Sequence, residues 1–248
     1  MPFLDRPDGR IRYEVHGAGF PVLLFAPGGL RSRLGMWPSP PGGPARPWVD
    51  WTRALPEAGF TAIAMDQRNA GESRTEIRAD HGWHSYAADH LALMDHLGFP
   101  RFHVLGGCIG GSFCLKAIEV APDRVTSAVL QNPIGRHPEH PDYFPESHAE
   151  WSREQRAARP ELDEAALAGF GRNMWGQDFV FCVSRDVVRA CPAPTMLLPG
   201  TDIPHPAATS TELAALLPGV EVLEDWRGPE HLEQQRSRVV DFLRRMTP

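Results

Sequence analysis

The sequence predicts an α/β protein with a doubly wound, mostly parallel sheet and an inserted helical cap. Short apolar segments alternate with segments of helical periodicity along most of the 248 residues. Several apolar segments, such as Val22 to Phe25, contain no polar residue, which is typical of parallel strands covered by helices on both faces. Strands that alternate with helices in this way build an open parallel sheet between two helical layers.

Each element of the predicted core follows from this alternation. Seven segments are predicted to be strands: Arg12 to Val15, Val22 to Phe25, Thr61 to Met65, Phe102 to Leu105, Val125 to Gln131, Thr195 to Leu198 and Val220 to Leu223. Five longer segments are predicted to be helices: Trp48 to Ala58, His84 to Leu97, Gly110 to Ala121, Ala207 to Leu217 and His231 to Arg245. In the second of these helices, Asp89 and His90 are expected to face water.

The alternation breaks between Pro133 and Pro194, where no convincing strand occurs. We therefore expect a core formed by residues 1–133 and 194–248 and a helical cap formed by residues 134–193. Three helices are predicted within this interval, at about Ser147 to Ala158, Glu161 to Gly171 and Asp178 to Ala190. Aromatic residues recur in this interval: Tyr143, Phe144, Trp151, Phe170, Trp175, Phe179 and Phe181. They fit ordinary packing and an apolar pocket roof equally well, because pockets and cores use the same residues.

Composition and charge exclude several functional classes. A hydrophobic content of 42% and a charged content of 23% are those of a globular protein. The net charge of −6 provides no basic surface for nucleic acid and no attraction to anionic membranes. No apolar segment approaches the roughly 20 residues that span a bilayer, and the first residues lack the apolar centre of a signal peptide. We therefore expect a cytoplasmic protein.

The cysteines do not indicate a structural role for disulfides or metal. Four cysteines, Cys108, Cys114, Cys182 and Cys191, are too few and too scattered for a disulfide framework, and none forms a C-x-x-C pair. We predict no metal and no cofactor. The expected partner is a small-molecule substrate, and a homodimer is compatible with the sequence.

One segment carries the strongest indication of chemistry. Residues Gly106 to Gly110 match the pattern G-x-nucleophile-x-G, a sharp strand-to-helix elbow that exposes one reactive side chain. Glycines on both sides keep Cβ atoms out of the crowded turn. The nucleophile position holds Cys108, so the predicted reactive group is a sulfur atom.

A cysteine nucleophile needs a base and a group that orients the base. Asp202 follows a late strand and is expected at the same edge of the sheet as Cys108, where its carboxylate can orient an imidazole. His231 follows the last strand at the entry to the final helix and is the preferred base. His205, three residues after Asp202 in a proline-rich loop, is the alternative base, and it can equally line the pocket or lie on the surface.

Together these features resemble the α/β-hydrolase superfamily over nearly the whole chain. Residues Asp66 to Ser73 add to the resemblance, because they are similar to the D-x-R-x-x-G-x-S turn that follows an early strand in many members. The resemblance implies the α/β-hydrolase fold and a triad of Cys108, Asp202 and His231. A cysteine in the elbow is similar to dienelactone hydrolases, which open cyclic enol esters with a Cys-His-Asp triad. This similarity concerns the chemistry more than the substrate.

The resemblance also implies an oxyanion hole beside the nucleophile. The main-chain amide of Ile109 is one donor, because it follows the nucleophile and opens a helix. In the superfamily the second donor follows an early strand that usually ends in His-Gly. Here that strand is followed by Ala-Pro-Gly-Gly-Leu, so the second donor is Gly28, Gly29 or Leu30. The proline-rich segment after Leu30, which contains Trp37, is expected to contribute to substrate binding.

We therefore expect a cofactor-free hydrolase of an ester, lactone or thioester of a small apolar substrate. His231, oriented by Asp202, would deprotonate Cys108, and the thiolate would form an acyl-enzyme that water then hydrolyses. Two alternatives stay open. C–C bond hydrolysis or lyase chemistry in the same pocket would need the His-Asp pair more than the thiol. A noncatalytic receptor on this fold would bind a small ligand without turnover.

Overall fold

Residues 2–248 are described by the structure, which is a computed structural model. Nine strands are defined in this range: β1 (Phe3–Arg6), β2 (Gly9–His16), β3 (Pro21–Phe25), β4 (Thr61–Met65), β5 (Arg74–Thr75), β6 (Phe102–Gly107), β7 (Val125–Gln131), β8 (Thr195–Leu198) and β9 (Glu221–Val222). Eight α-helices are defined in the same range: α1 (Trp51–Glu57), α2 (Trp83–His96), α3 (Ile109–Val120), α4 (Tyr143–Ala158), α5 (Glu164–Trp175), α6 (Arg185–Arg189), α7 (Ala207–Leu216) and α8 (Leu232–Met246). Short 3₁₀ helices cover Gly29–Arg31, Leu34–Met36 and Pro229–His231. None of the helices in residues 2–248 combines the length and the apolar character that a membrane span requires.

The strands form one sheet in the order β1-β2-β4-β3-β6-β7-β8-β9, with β5 paired to β2. Strand β3 pairs in parallel with β4 on one side and with β6 on the other, and the sheet continues in parallel from β6 to β9. Strands β1 and β2 are antiparallel and extend the other end. The predicted doubly wound, mostly parallel sheet is thus confirmed. Between β3 and β6 the winding changes direction, and sheets of this kind bind ligands beyond the carboxyl ends of the strands at that point.

All seven predicted strands are present, and the bounds of β4, β7 and β8 agree with the prediction residue for residue. The five helices predicted for the core are also present, with bounds shifted by three residues or fewer. Strands β1 and β5 are additional. Both are short and only partly buried, so neither contains the continuous apolar segment by which the other strands can be recognised.

The parallel strands are buried between two apolar layers. Every residue of β3, β4, β6 and β8 is buried. On one face, side chains such as Phe113 of α3 and Leu93 of α2 pack against alternate strand residues. On the other face, Leu55 of α1 and Leu243 of α8 belong to a second apolar cluster with the remaining strand residues. This arrangement explains why the central strands read as apolar throughout.

The expectation that Asp89 and His90 face water is wrong, since both are buried. Asp89 accepts hydrogen bonds from Nε of Arg68 at 2.6 Å and from Nε of Arg6 at 2.9 Å. Nε2 of His90 lies 2.8 Å from Oε1 of Gln67, and burial lowers the pKa of His90 to about 3. The partners come from β1 and from the turn after β4, so no local pattern in α2 reveals this burial.

Helices α4, α5 and α6 follow one another between β7 and β8, in the interval predicted as a cap. The first two lie close to predicted helices. The prediction of a third helix over Asp178 to Ala190 is wrong except for Arg185–Arg189. Phe179 and Phe181 have φ angles of 61° and 65°, which an α-helix does not accommodate. Turns at these residues place both rings in the apolar core.

The turn from Asp66 to Ser73 forms hydrogen bonds to the loop that follows β3. Oδ1 of Asp66 accepts a hydrogen bond from the main-chain N–H of Leu34 at 2.8 Å, and the N–H of Gln67 donates to the carbonyl of Ser32 at 3.1 Å. Asp66 is buried, so these bonds are shielded from water. The loop is therefore held in a fixed position next to the carboxyl end of β6.

Candidate active site

Cys108 occupies the turn between β6 and α3 with φ 59° and ψ −121°, a conformation that non-glycine residues rarely adopt. The flanking glycines make this turn feasible. A Cβ on Gly106 would lie 2.1 Å from the carbonyl oxygen of Gly110, and a Cβ on Gly110 would lie 2.3 Å from the carbonyl oxygen of Phe25. The N–H of Cys108 donates to the carbonyl of Gln131 at 3.0 Å, which ties the turn to β7. The geometry is that of a nucleophile elbow.

The loop after β8 carries both an acid and an imidazole. Nδ1 of His205 lies 2.5 Å from Oδ1 of Asp202, and the main-chain N–H of His205 donates to the carbonyl of Asp202 at 3.0 Å. His205 is only 8% exposed. Its buried Nε2 atom has no hydrogen-bond partner among residues 2–248, while Cys108 lies close enough to raise the pKa of the imidazole through its charge. The imidazole therefore lies between the carboxylate and the sulfur.

Burial and charge act in opposite directions on Cys108. Burial by itself raises the pKa of the thiol, but the charge of His205, its hydrogen bond and those of two main-chain groups hold the pKa below its ordinary value. The reverse applies to His205. Burial lowers the pKa of the imidazole, but Cys108 and Asp202 together raise it above its ordinary value. Such opposite shifts favour a thiolate–imidazolium pair.

The acid is also held in its charged form. Burial opposes the ionisation of Asp202, but a hydrogen bond from Arg227 and the charge of His205 hold the pKa of the carboxyl below its ordinary value. Tyr143 of α4 lines the same cavity, and burial, followed by the charges of Cys108 and Asp202, raises the pKa of its phenol. The phenol therefore stays protonated and can donate a hydrogen bond into the site.

Two main-chain N–H groups face the sulfur. They belong to Gly28, in the loop after β3, and to Ile109, the first residue of α3, and both act to lower the pKa of Cys108. Gly28 has a φ of 123°, which lets the loop turn its amide toward the nucleophile. Among the three candidates Gly28, Gly29 and Leu30, the geometry favours Gly28 as the second donor. A carbonyl oxygen bound near the sulfur can be held by these two donors as it becomes negatively charged.

A cavity of about 420 Å³ opens above Cys108. Its apolar walls include Trp48, before α1, together with Tyr143 and Phe144 of α4 and Trp175 at the end of α5. Phe144 and Trp175 stack with ring centroids 4.8 Å apart. Three of the recurrent aromatic residues of the cap thus line the cavity, whereas Trp151, Phe170, Phe179 and Phe181 pack in the core. The size and the aromatic walls suit a small organic ligand.

Polar groups reach the same cavity. Arg31, Glu150, Asn132 and Arg227 are among its lining residues. Arg31 pairs with Glu150 at 3.4 Å. No group of three or more His, Cys, Asp or Glu side chains in residues 2–248 is arranged to hold a metal ion. The reactive groups that line the cavity include the thiol of Cys108 and the imidazole of His205.

The structure does not bring His231, the preferred base, to the nucleophile. His231 ends a 3₁₀ helix, its Nε2 lies 3.5 Å from Oε1 of Glu230, and it does not line the cavity. The alternative, His205, occupies the position instead. The physical reason is the turn closed by the hydrogen bond from His205 N–H to the Asp202 carbonyl, which places the two side chains on the same side of one loop.

The expectation that Trp37 contributes to substrate binding is also not met. It is fully buried in the apolar cluster on the α1 and α8 face and does not line the cavity. Its ring packs beneath Gly107, where an added Cβ would lie 3.6 Å from it. A large aromatic side chain gains more from burial than from exposure, so the loop turns it inward. Leu30, by contrast, lines the cavity, as do Gly28 and Gly29.

Two polar residues of the site, Asn132 and Arg227, have no assigned role in the sequence-based prediction, whereas Tyr143 belongs to the cap aromatics that fit a pocket roof. Asn132 follows β7 with a φ of 36°, is 5% exposed, and its Oδ1 has no hydrogen-bond partner among residues 2–248. Its position at the carboxyl end of a parallel strand is the signal that could have identified it. No comparable signal exists for Arg227, because only tertiary packing brings it to the cavity.

Comparison with known proteins defines the class of the chain. The family model for the alpha/beta hydrolase fold matches residues 21–174, so the chain belongs to this family of hydrolases. Solved structures agree over almost the whole length. The enol-lactonase from Burkholderia xenovorans covers 98% of this chain and is itself covered completely, with a TM-score of 0.71 and 19% identity. A thermophilic esterase from Thermogutta terrifontis covers 97% of this chain, and 95% of its own chain is covered, with a TM-score of 0.68 and 22% identity. At such identities the likeness concerns the fold.

Curated relatives are more similar over shorter segments. The candidate carbamate hydrolase RutD of Variovorax paradoxus is 34% identical over 122 residues, which are 49% of this chain and 42% of the relative. The candidate non-heme bromoperoxidase BpoC of Mycobacterium tuberculosis is 28% identical over 171 residues, 68% of this chain and 60% of the relative. The chain thus spans less than two thirds of the length of each of these relatives.

Proposed function

We propose that the protein is a cofactor-free hydrolase that cleaves an ester, lactone or thioester of a small, largely apolar substrate through Cys108, His205 and Asp202. The proposal rests on the position of His205, whose Nδ1 contacts the Asp202 carboxylate and whose ring lines the same cavity as Cys108, close enough for the two groups to shift each other's pKa. Nucleophile, base and orienting acid are the three parts that covalent acyl transfer requires.

The proposed reaction begins with the thiolate of Cys108 and the imidazolium of His205. The thiolate attacks the substrate carbonyl, and the oxyanion that forms accepts hydrogen bonds from the N–H groups of Gly28 and Ile109. When this intermediate collapses, the bond to the leaving oxygen or sulfur breaks, and the imidazolium gives its proton to the leaving group. The product of this half-reaction is a thioester on Cys108.

Water completes the cycle. Neutral His205 takes a proton from a water molecule, and the resulting hydroxide adds to the thioester carbonyl. Collapse of the second oxyanion releases the carboxylic acid and restores the thiolate and the imidazolium. Asp202 stays ionised throughout and holds Nδ1–H of His205, so that Nε2 faces the reacting atoms in both half-reactions.

The cavity supports a small acyl compound as the substrate. About 420 Å³ with aromatic walls accommodates a molecule of modest size, and a protonated Tyr143 adds a hydrogen-bond donor on the cap side. Carbonyl compounds of this kind also appear in the names of relatives, namely carbamate hydrolase and enol-lactonase. The proposal does not depend on either name.

The test is intact-mass measurement of the protein after mixing with activated 4-nitrophenyl esters of increasing acyl length. We expect a transient mass increase equal to one acyl group, located on Cys108 by peptide mapping, together with release of 4-nitrophenol. Cys108→Ala should lose both. Cys114→Ala, a buried thiol six residues further along, is the matched control and should retain both.

Two outcomes would count against the proposal. Absence of any adduct and any nitrophenol release across the ester series, combined with saturable binding of small apolar compounds, would favour a ligand receptor. Turnover of a carbonyl substrate that survives in Cys108→Ala but is lost in His205→Ala would instead indicate C–C cleavage that uses the imidazole alone.

A further inference from the structure

Arg227 joins the candidate site from an element that carries none of the three triad residues. It lies in the loop after β9, and its Nη1 donates to Oδ2 of Asp202 at 3.0 Å. The two oxygens of this carboxylate therefore have separate partners, since Oδ1 faces His205 at 2.5 Å. Arg227 also lines the cavity above Cys108. The sequence predicts that the loop after the last strand provides the base, His231. In the structure this loop instead provides a cation, Arg227, which pairs with Asp202.

We propose that Arg227 is a positioning residue, which fixes the orientation of the Asp202 carboxylate and through it the orientation and charge of His205. The proposal rests on the proposed triad. It describes an alternating row of charges, from the thiolate of Cys108 through imidazolium and carboxylate to guanidinium. Each member of such a row stabilises the charged form of its neighbour.

The need for this role follows from the exposure of the acid. The side chain of Asp202 is 40% exposed, whereas that of His205 is 10% exposed. An exposed carboxylate can rotate toward water, and rotation would remove the hydrogen-bond acceptor from Nδ1 of the imidazole. A second partner on Oδ2 makes that rotation unfavourable, because both oxygens must then be released together. Arg227 is the partner found there.

Other charged and titratable groups near the acid do not substitute for this contact. Tyr143 faces the carboxylate from α4 as a protonated phenol, and Cys108 faces the imidazole from the elbow. Arg31, the second guanidinium of the cavity, makes two 2.9 Å hydrogen bonds to Glu154 and pairs with Glu150 at 3.4 Å. Within residues 2–248, Arg227 is therefore the guanidinium that pairs with Asp202, in addition to the imidazole of His205.

The test uses the intact chain and does not require the natural substrate. The rate of Cys108 alkylation by iodoacetamide is measured as a function of pH, with peptide mass analysis to identify the modified thiol. We expect Arg227→Gln to move the midpoint of the profile upward by about 0.5 pH unit, the size expected for a half-exposed ion pair. Arg227→Lys should have a midpoint close to that of the wild type, because a lysine can replace the single hydrogen bond observed here. Arg238→Gln, at an exposed position of α8, is the matched control.

A double variant separates positioning from a direct effect of the positive charge. In the Asp202→Asn background, Arg227→Gln should cause no further shift, because the carboxylate through which it acts is absent. An equal shift in both backgrounds would overturn the proposal. So would an unchanged profile in a folded Arg227→Gln protein, with folding checked by thermal unfolding.

Steady-state kinetics with an uncharged ester distinguish positioning from substrate binding. Positioning predicts a lower kcat with little change in KM, whereas loss of a substrate contact would raise KM and would overturn the inference. If the wild-type thiol shows no enhanced reactivity at all, the proposed function itself is contradicted. If the wild-type thiol is reactive and the Arg227→Gln protein has the same reactivity, only the proposed role of Arg227 is contradicted.

Discussion

The loops that follow β8 and β9 leave neighbouring parallel strands, yet they contribute to the site in different ways. In the first loop, a turn from Asp202 to His205 places a carboxylate and an imidazole in contact. In the second, Arg227 reaches the carboxylate, while His231 lies at the end of a 3₁₀ helix beside Glu230. A histidine at the expected place in the chain is thus not sufficient. The direction in which its loop turns decides whether it meets the nucleophile.

The most direct test of the difference between the two loops is to remove each histidine separately. His205→Ala is expected to reduce the rate of acyl transfer to Cys108 by about 10²- to 10⁴-fold, the usual contribution of a general acid–base group. His231→Ala should stay within about twofold of the wild type, because its side chain does not line the cavity. Single-turnover kinetics with a 4-nitrophenyl ester measure both. The opposite order of effects would restore His231 as the base.

A second test compares the acids of the two loops. Asp202→Asn replaces a charge-assisted hydrogen bond to His205, which is worth about 1.5–3 kcal/mol, so acylation should slow by about 10- to 100-fold. Asp225→Asn, at an exposed position of the second loop, is the matched control and should leave the rate unchanged. Equal rates for Asp202→Asn and the wild type would remove Asp202 from the mechanism.

The sheet and the elbow could be predicted from sequence because their physical causes are local. A continuous apolar segment is what a strand buried on both faces requires, and β4, β7 and β8 follow this pattern to the residue. The elbow is recognisable because Gly106 and Gly110 are the residues that its crowded turn accepts. In both cases the sequence pattern and the structural requirement occur within a few residues of each other.

The histidine that lies beside Cys108 could not be predicted in the same way. Both His205 and His231 follow strands and have a proline within two residues, so local patterns do not separate them. The difference comes from the turn that closes on Asp202 and from tertiary contacts such as that of Arg227. The buried ion pair of Asp89 with Arg68 could not be predicted either, because its two partners lie on different elements and only the tertiary fold brings them together.

The pH dependence of thiol reactivity provides a further test of the two histidines. The pKa of Cys108 is lowered and that of His205 is raised, so alkylation of Cys108 should increase as the pH rises through a midpoint below that of an ordinary thiol. Above the raised pKa of His205, acyl transfer should fall again, because the imidazolium that protonates the leaving group is lost.

In His205→Gln the effect of burial on Cys108 is no longer offset by the imidazolium, so the alkylation midpoint should move upward; His231→Gln should leave it in place. Cys182, whose pKa burial raises to about 12, serves as an internal control and should react far more slowly at neutral pH. A Cys108 profile that is the same in His205→Gln and the wild type would contradict the proposed ion pair.

The smallest expected effect concerns the contact that joins the two loops. Nε1 of Trp226, in the second loop, donates a hydrogen bond to the carbonyl of Pro199, in the first, at 2.8 Å. Trp226→Phe removes this bond and part of a buried ring, so it should lower the free energy of unfolding by about 1–2 kcal/mol. Denaturant unfolding measures this loss. If the bond also sets the distance between Arg227 and Asp202, the alkylation midpoint of Cys108 should rise in Trp226→Phe, as is expected for Arg227→Gln. An unchanged midpoint would show that each loop keeps its part of the site in position without this bond.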